Sequence, residues 1–282
     1  MSGAGTEGRL ALVAGSGDYP LKVAQAARAQ GRELYVVALS GAADIGDFAG
    51  FEGREYRLGQ LGAFMDEVKR RRISDIVMIG ALPRPSFGAL APELSTLKYL
   101  PHFARAFKGG DDHLLRGVVS FFEGQGLVVR GAAEIAPEIV AGSGPMGRTM
   151  PTAPAMEAAE RGFALLDAIS PFDIGQAAVI ADHRVVAVEA AEGTDAMLER
   201  VAAMVKSGRL RIGKGDGVLV KAPKRNQDLR VDMPAVGVDT VVRAVEAGLS
   251  GIAVRTGAVL VGDRATLAAR ADAAGLFVVG VP

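Results

Sequence analysis

The stretch Lys221–Gly237 gathers four cations, Lys221, Lys224, Arg225 and Arg230, with two carboxylates, Asp228 and Asp232. It follows an apolar run, Val218-Leu-Val220, that reads as a buried strand. Pro223 and Pro234 restrict the backbone between them and disfavour regular pairing, so this is a loop and not a core element. Cations in such a loop can hold phosphate oxygens, and a carboxylate can hold a metal or take a proton. The combination points to chemistry on a phosphorylated substrate.

Other segments carry weaker signals of the same kind. Gly15-Ser16-Gly17 sits between an apolar strand and a helix pattern, where free N–H groups and the helix dipole suit a phosphate. A plain tight turn explains it equally. A nicotinamide fingerprint is disfavoured, because Pro20 stands where its third glycine belongs and no acid closes the second strand. Arg84, between two prolines after the third strand, can meet an anion or be an exposed loop arginine. Lys108-Gly-Gly-Asp111-Asp112 precedes a helix; either aspartate can cap it, and together they can organise Mg²⁺ or substrate hydroxyls. Glu192-Gly193-Thr194-Asp195 joins a strand to a helix. Thr194 suits the N-cap and Asp195 the first turn, while Glu192 is not needed for capping. Gln176 opens a strand, where it can bind a base, sugar or amide, or satisfy a neighbouring backbone group. His102, His113 and His183 lack metal-ligand spacing.

Elements that place these residues follow from apolar periodicity. Leu10–Ala14, helix Leu21–Gln30 and Leu34–Ala38 form a β-α-β unit, the mark of a parallel sheet. Helix Leu61–Arg71 and strand Asp75–Ile79 repeat the pattern, followed by helices Leu97–Phe107 and Asp112–Glu123 and strand Leu127–Arg130. Loop composition around Ala141–Gly147, with Pro151 and Pro154 beyond it, marks a junction. The expectation is an α/β protein: an N-terminal Rossmann-like parallel-sheet domain over 1–135, a linker over 136–153, and a C-terminal α+β catalytic domain over 154–282. In that second domain strands are expected at Gln176–Ile180, Arg184–Glu189, Gly217–Val220, Gly251–Val254 and Leu276–Val281. Helices are expected at Ala155–Ile169, Thr194–Val205, Asp239–Ala247 and Arg264–Ala274, with a hairpin-like piece at Ala258–Val261.

Composition narrows the classes. At 282 residues, 49% of them hydrophobic, the chain can bury a large core. Lys+Arg and Asp+Glu balance at 32 each, which argues against a nucleic-acid partner. The absence of cysteine excludes disulfides, thiolate catalysis and thiolate metal sites. No segment reaches the roughly 18 uninterrupted apolar residues of a membrane-spanning helix, and the N-terminus does not read as a signal peptide. The aromatic-rich Leu97–Phe107, with Phe121 and Phe122, can line an acyl pocket or simply pack a core.

Taken together, Gly15-Ser-Gly17, Arg84-Pro-Ser-Phe87, Lys108–Asp112 with Leu114-Leu-Arg116, Asp173-Ile-Gly-Gln176, Val188–Met197 and the Lys221–Gly237 loop resemble one family. It is that of the UDP-2,3-diacylglucosamine pyrophosphatases of the LpxI type, found in lipid A biosynthesis. The resemblance runs from about residue 10 to the C-terminus. Arg230-Val-Asp232-Met-Pro234 matches the family's Arg-Val-Asp-Leu-Pro segment, which carries its key catalytic aspartate; Met233 replaces leucine. Lys224–Asp228 and Ala81-Leu-Pro83 depart from the family pattern.

The resemblance implies Mg²⁺-dependent hydrolysis of UDP-2,3-diacylglucosamine to UMP and 2,3-diacylglucosamine 1-phosphate (lipid X), with substrate held between two domains. On that reading Asp232 is expected to bind Mg²⁺ or orient the attacking water, and Lys221, Lys224 and Arg230 to neutralise phosphate charge. Asp111, Asp112, Glu192 and Asp195 would complete a metal or sugar shell, with Asp111 and Asp112 joining Asp232 as metal ligands. Gly15, Ser16, Gly17, Arg84, Lys108, Gln176, Gly193 and Thr194 would bind substrate. An apolar tunnel for an acyl chain is expected near the domain junction. A homodimer in transient contact with the cytoplasmic face of the inner membrane is expected. The other readings are a non-catalytic nucleotide-sugar or lipid sensor, and a nucleotide-sugar transferase or oxidoreductase.

Overall fold

The computed structural model describes residues 8–82, 93–106, 111–213 and 215–282. The chain divides into two units, one holding residues up to Pro137 plus Asp228–Asp232, the other Glu138–Gln227 plus Met233–Pro282.

The first unit runs β1 (Arg9–Ala14), α1 (Tyr19–Ala29), β2 (Leu34–Leu39), β3 (Glu52–Tyr56), α2 (Leu61–Arg71) and β4 (Ile73–Ile79). It continues through α3 (Leu94–Leu97), α4 (Leu100–Ala106), α5 (Asp111–Gly124), β5 (Val128–Arg130) and α6 (Ala132–Ile135). The strands lie parallel in the order β3-β2-β1-β4-β5. Winding reverses between β1 and β4, and such a reversal opens a crevice at the strands' carboxyl ends. β1 beyond Arg9 and β2 are continuously apolar because both sheet faces are covered.

β3 was not expected from the sequence. Its residues, Glu52-Gly-Arg-Glu-Tyr56, lack an apolar pattern because the strand lies at the sheet edge, where charge is tolerated. Glu52 is paired there by Arg9 and Arg71. The single helix expected over Leu97–Phe107 is two helices, α3 and α4, separated at Lys98 and Tyr99. At the opposite end of the sheet from the crevice, buried Asp75 accepts from Arg130 at 2.7 Å and lies 3.5 Å from Arg32.

The second unit runs β6 (Gly144–Pro145), α7 (Ala153–Ile169), β7 (Ala177–Ala181), β8 (Arg184–Val188), α8 (Gly193–Lys206) and β9 (Val218–Lys221). Then come α9 (Val238–Glu246), β10 (Gly251–Arg255), α10 (Arg264–Ala273) and β11 (Phe277–Val281). Its sheet is mixed, in the order β6-β11-β10-β9-β7-β8. β9, β10 and β11 run parallel, while β7 is antiparallel to both β8 and β9. Alternation along β9 explains the two cores. Leu219 packs with Leu198 of α8, Val241 of α9 and Leu267 of α10, whereas Val218 and Val220 pack with Ala159 and Phe163 of α7.

The stretch 136–153, expected as a linker, is largely built into this unit. Ile139 and Ala141 are buried, and Gly144–Pro145 pairs with β11. Ala258–Val261 forms no hairpin; Leu260 instead bridges Val140 on one side and Ala235 on the other. Asp228–Asp232, expected in the C-terminal domain, groups with the first unit.

Candidate active site

The Gly15–Gly17 turn leaves β1 directly beside the end of β4. The Gly15 N–H donates to the Ile79 carbonyl at 2.9 Å, and Ser16 and Ala81 exchange two backbone bonds. The Ser16 hydroxyl also donates to the Ala81 carbonyl, at 3.0 Å. A Cβ on Gly80, which sits at φ +104°, would lie 2.6 Å from the Gly15 backbone, so this close approach requires glycine. The Gly15 and Ser16 N–H groups are therefore spent on the neighbouring loop and cannot form the expected phosphate cradle. Gly17 and the start of α1 retain that possibility.

Beside this turn the first unit encloses a cavity of about 270 Å³. The ends of β1 to β4 supply Val13, Val37, Tyr56 and Met78 to its wall, and α4 and α5 supply Phe103, Leu115, Val118 and Phe122. Its polar lining is satisfied locally. The Thr96 hydroxyl donates to the Gly59 carbonyl at 2.8 Å and accepts from the Gly62 N–H at 2.9 Å, while Gln60 donates to Glu93 at 2.8 Å. Most of what faces the space is hydrocarbon, which favours an apolar ligand. Leu58 and Leu82 carry the lining out to solvent.

Val231 contributes to the same wall. Its neighbour Arg230 bonds both oxygens of Asp228, at 2.9 and 2.7 Å, and reaches Glu123 on α5 at 2.8 Å. Arg230 holds the Asp228 carboxyl below the usual carboxylate range, with burial opposing it. The Asp232 N–H donates to the Asp228 carbonyl at 3.0 Å, and Asp232 is half-buried. Thus an ion-pair bracket on one side and an apolar plug beside it fix the backbone that presents Asp232. Arg230 thus spends three of its five N–H donors on two carboxylates and braces this loop.

In the second unit Lys221 closes β9 and is only 9% exposed. Its Nζ donates to the Thr194 hydroxyl at 2.8 Å. Thr194 donates in turn to Glu189 Oε1 at 3.0 Å, and Glu189 Oε2 accepts from the Gln176 N–H at 2.8 Å. Burial pushes the Lys221 pKa down, and Glu189 and Asp195 pull it back up. Among the described residues no carboxylate lies within ion-pair distance of Lys221, and one of its three donors is spent. A buried ammonium with donors to spare can bind an anion.

The other expected residues of this unit hold one another. Lys224 pairs with Asp173 at 2.5 Å, and the Lys224 N–H donates to Gln227 Oε1 at 2.8 Å. The Gln176 side chain donates to the same oxygen at 2.9 Å, so it braces the 224–227 turn with one of its N–H groups. Glu192 is exposed and bound to Arg200 at 2.6 Å; its own backbone N–H and Arg200 lower its pKa. Asp195 is exposed and lies 3.5 Å from Arg243. The Thr194 hydroxyl spends its one proton on Glu189 and accepts from Lys221, so it links those two side chains. Gly193 opens α8 with φ +80° and open space around its Cα. Arg84 and Lys108, and the side chains of Asp111 and Asp112, lie outside the described residues.

Residues 9–149 match the LpxI N-terminal domain, and residues 142–279 match the LpxI C-terminal domain. A curated relative from Caulobacter vibrioides, UDP-2,3-diacylglucosamine pyrophosphatase LpxI, is 39% identical over 273 residues, covering 97% of each chain. The chain belongs to the LpxI family. Among solved structures, the leucoanthocyanidin reductase–NADPH complex of Vitis vinifera aligns at 14% identity and TM-score 0.27, over 53% of this chain and 41% of that one. A score that low carries no argument.

For an LpxI-family chain the donor set bears on Mg²⁺. Among the described residues no group of three or more acidic or histidine side chains is placed to hold a metal. Mg²⁺ commonly takes only one or two protein carboxylates and leaves the rest of its shell to phosphate and water. Asp228, expected as no ligand, has both oxygens on Arg230. Two features beside the candidate residues were not singled out by the sequence reading. Glu189 carried a signal, a carboxylate directly after an apolar strand. The Arg57–Leu61 wall of the cavity carried none, because β3 before it has no apolar pattern.

Proposed function

We infer that this LpxI-family chain hydrolyses the pyrophosphate bond of UDP-2,3-diacylglucosamine, releasing UMP and 2,3-diacylglucosamine 1-phosphate. The observation that carries the reading is a half-buried carboxylate, Asp232, one residue from the wall of an apolar cavity. A lipid-bearing phosphoric anhydride needs both an apolar berth and an acidic group. A nicotinamide enzyme would need the turn after β1 for its pyrophosphate, and the Gly15 and Ser16 donors there are spent.

Each residue's part follows from its surroundings. The cavity takes an acyl chain, each buried methylene stabilising the complex by about 0.8 kcal/mol. Lys221 holds a phosphoryl oxygen through its spare donors and offsets charge that builds as the bridging bond breaks. Asp232 orients the attacking water or holds Mg²⁺ against the diphosphate. Bound there, Mg²⁺ would neutralise phosphate charge. The exposed Leu58 and Leu82 would touch the cytoplasmic face of the inner membrane while a chain is drawn in.

The test is UMP release by Asp232→Ala, with folding checked by circular dichroism. Turnover should fall by about 10²–10³-fold or more, the scale of losing one transition-state stabiliser. Near-normal turnover by a folded variant would remove Asp232 from the reaction.

A further inference from the structure

We propose that Glu189 is the positioning residue of the phosphate site: through Thr194 it fixes where the Lys221 ammonium points. This rests on the reading of Lys221 as the group that holds a phosphoryl oxygen.

The polarity of the chain leaves one arrangement. A threonine hydroxyl has a single proton, an ammonium has no acceptor, and an ionised carboxylate has no donor. With Glu189 on one side and Lys221 on the other, Thr194 must donate to Glu189 and accept from Lys221. Glu189 is itself anchored twice. Its N–H donates to the Ala177 carbonyl at 2.9 Å, and its second oxygen accepts from the Gln176 N–H at 2.8 Å. The relay therefore runs from the backbone of β7 through Glu189 and Thr194 to Nζ. It points one ammonium donor inward and leaves the others for a ligand. A carboxylate bound directly to Lys221 would occupy those donors; one hydroxyl away, it supplies negative charge without competing for them.

Charged groups facing Lys221 are Glu189 after β8 and Asp195 on α8, with Arg243 of α9 on Asp195. Burial lowers the Lys221 pKa and both carboxylates raise it, so Glu189 helps keep the ammonium protonated. Removing the Glu189 charge while keeping its shape should lower that pKa.

The experiment is the pH profile of kcat/KM for UMP release by Glu189→Gln, Glu189→Asp, Thr194→Val and Lys221→Met. In Glu189→Gln the high-pH limb should move down by about one pH unit or more, and Glu189→Asp should restore it towards the parent. Thr194→Val keeps the volume and both charges, so it should lose at least about tenfold in kcat/KM with little shift of the limb. It also serves if Glu189→Gln does not fold. Lys221→Met should be inactive. An active Lys221→Met would overturn the phosphate reading itself. An inactive Lys221→Met beside an unmoved limb in Glu189→Gln, or full activity in Thr194→Val, would overturn the role of Glu189 alone.

Discussion

Arg230 shows how a cation can brace the loop that carries a candidate catalytic carboxylate. Its guanidinium presents a planar fork that matches one carboxylate bidentately, and here a second carboxylate takes the remaining edge. The group is 38% exposed, so water screens its pairs and their contribution to global stability is small. Its effect on Asp232 should be larger, because the two residues share one short turn. Arg230→Leu should cost only about 1 kcal/mol of stability yet lower kcat/KM at least tenfold. Melting curves and steady-state kinetics read the two effects separately, and unchanged kinetics would show that the bracket does not position Asp232.

Among the elements, the cavity depends on the reversal of winding between β1 and β4, which leaves the strand ends uncovered for α4 and α5 to roof. Its 270 Å³ lies near the lower end of small-molecule sites, which start at about 300 Å³. That is room for part of a lipid and not for the whole substrate. Val118 on α5 lines it and is only partly buried, so a larger side chain there can enter the space without breaking the core. Val118→Trp should raise KM for long-chain substrate about tenfold and shift preference towards shorter acyl chains. A chain-length series of UMP-release assays measures this, and an unchanged preference would place the acyl chain elsewhere. The periodic helices and the buried strands were legible in the sequence. β3 was not, because an edge strand can be stabilised by Arg9 and Arg71 on Glu52 in place of apolar burial.

At the scale of a whole unit, charge-assisted bonds tie segments distant in sequence, and these bear on acid stability. In the second unit Asp272 accepts the Arg148 and Thr149 N–H groups at 2.9 and 2.8 Å, which draw its pKa down to about 2. A carboxyl depressed in the folded state adds stability above its unfolded pKa of about 3.9. That contribution fades as pH falls towards the folded value. Asp272→Asn should therefore unfold more readily than the parent at neutral pH, with the gap closing between about pH 4 and pH 2. Urea unfolding across that range tests the sign, and a gap that widened with acid would refute it. The tie also explains why 138–153 is not a linker: its loop composition hides bonds to residues more than a hundred positions later.

The sequence by itself determined the two sheet-bearing units and the motifs of the LpxI family, because apolar periodicity and motif spacing are local properties of the chain. It also marked Lys221 and Asp232. Only the tertiary structure decided what each marked residue has left to give. Arg230 meets Glu123 at a separation of 107 residues and Lys221 meets Thr194 at 27. A donor's availability depends on partners that distant, and a linear reading cannot subtract the hydrogen bonds that folding has already spent.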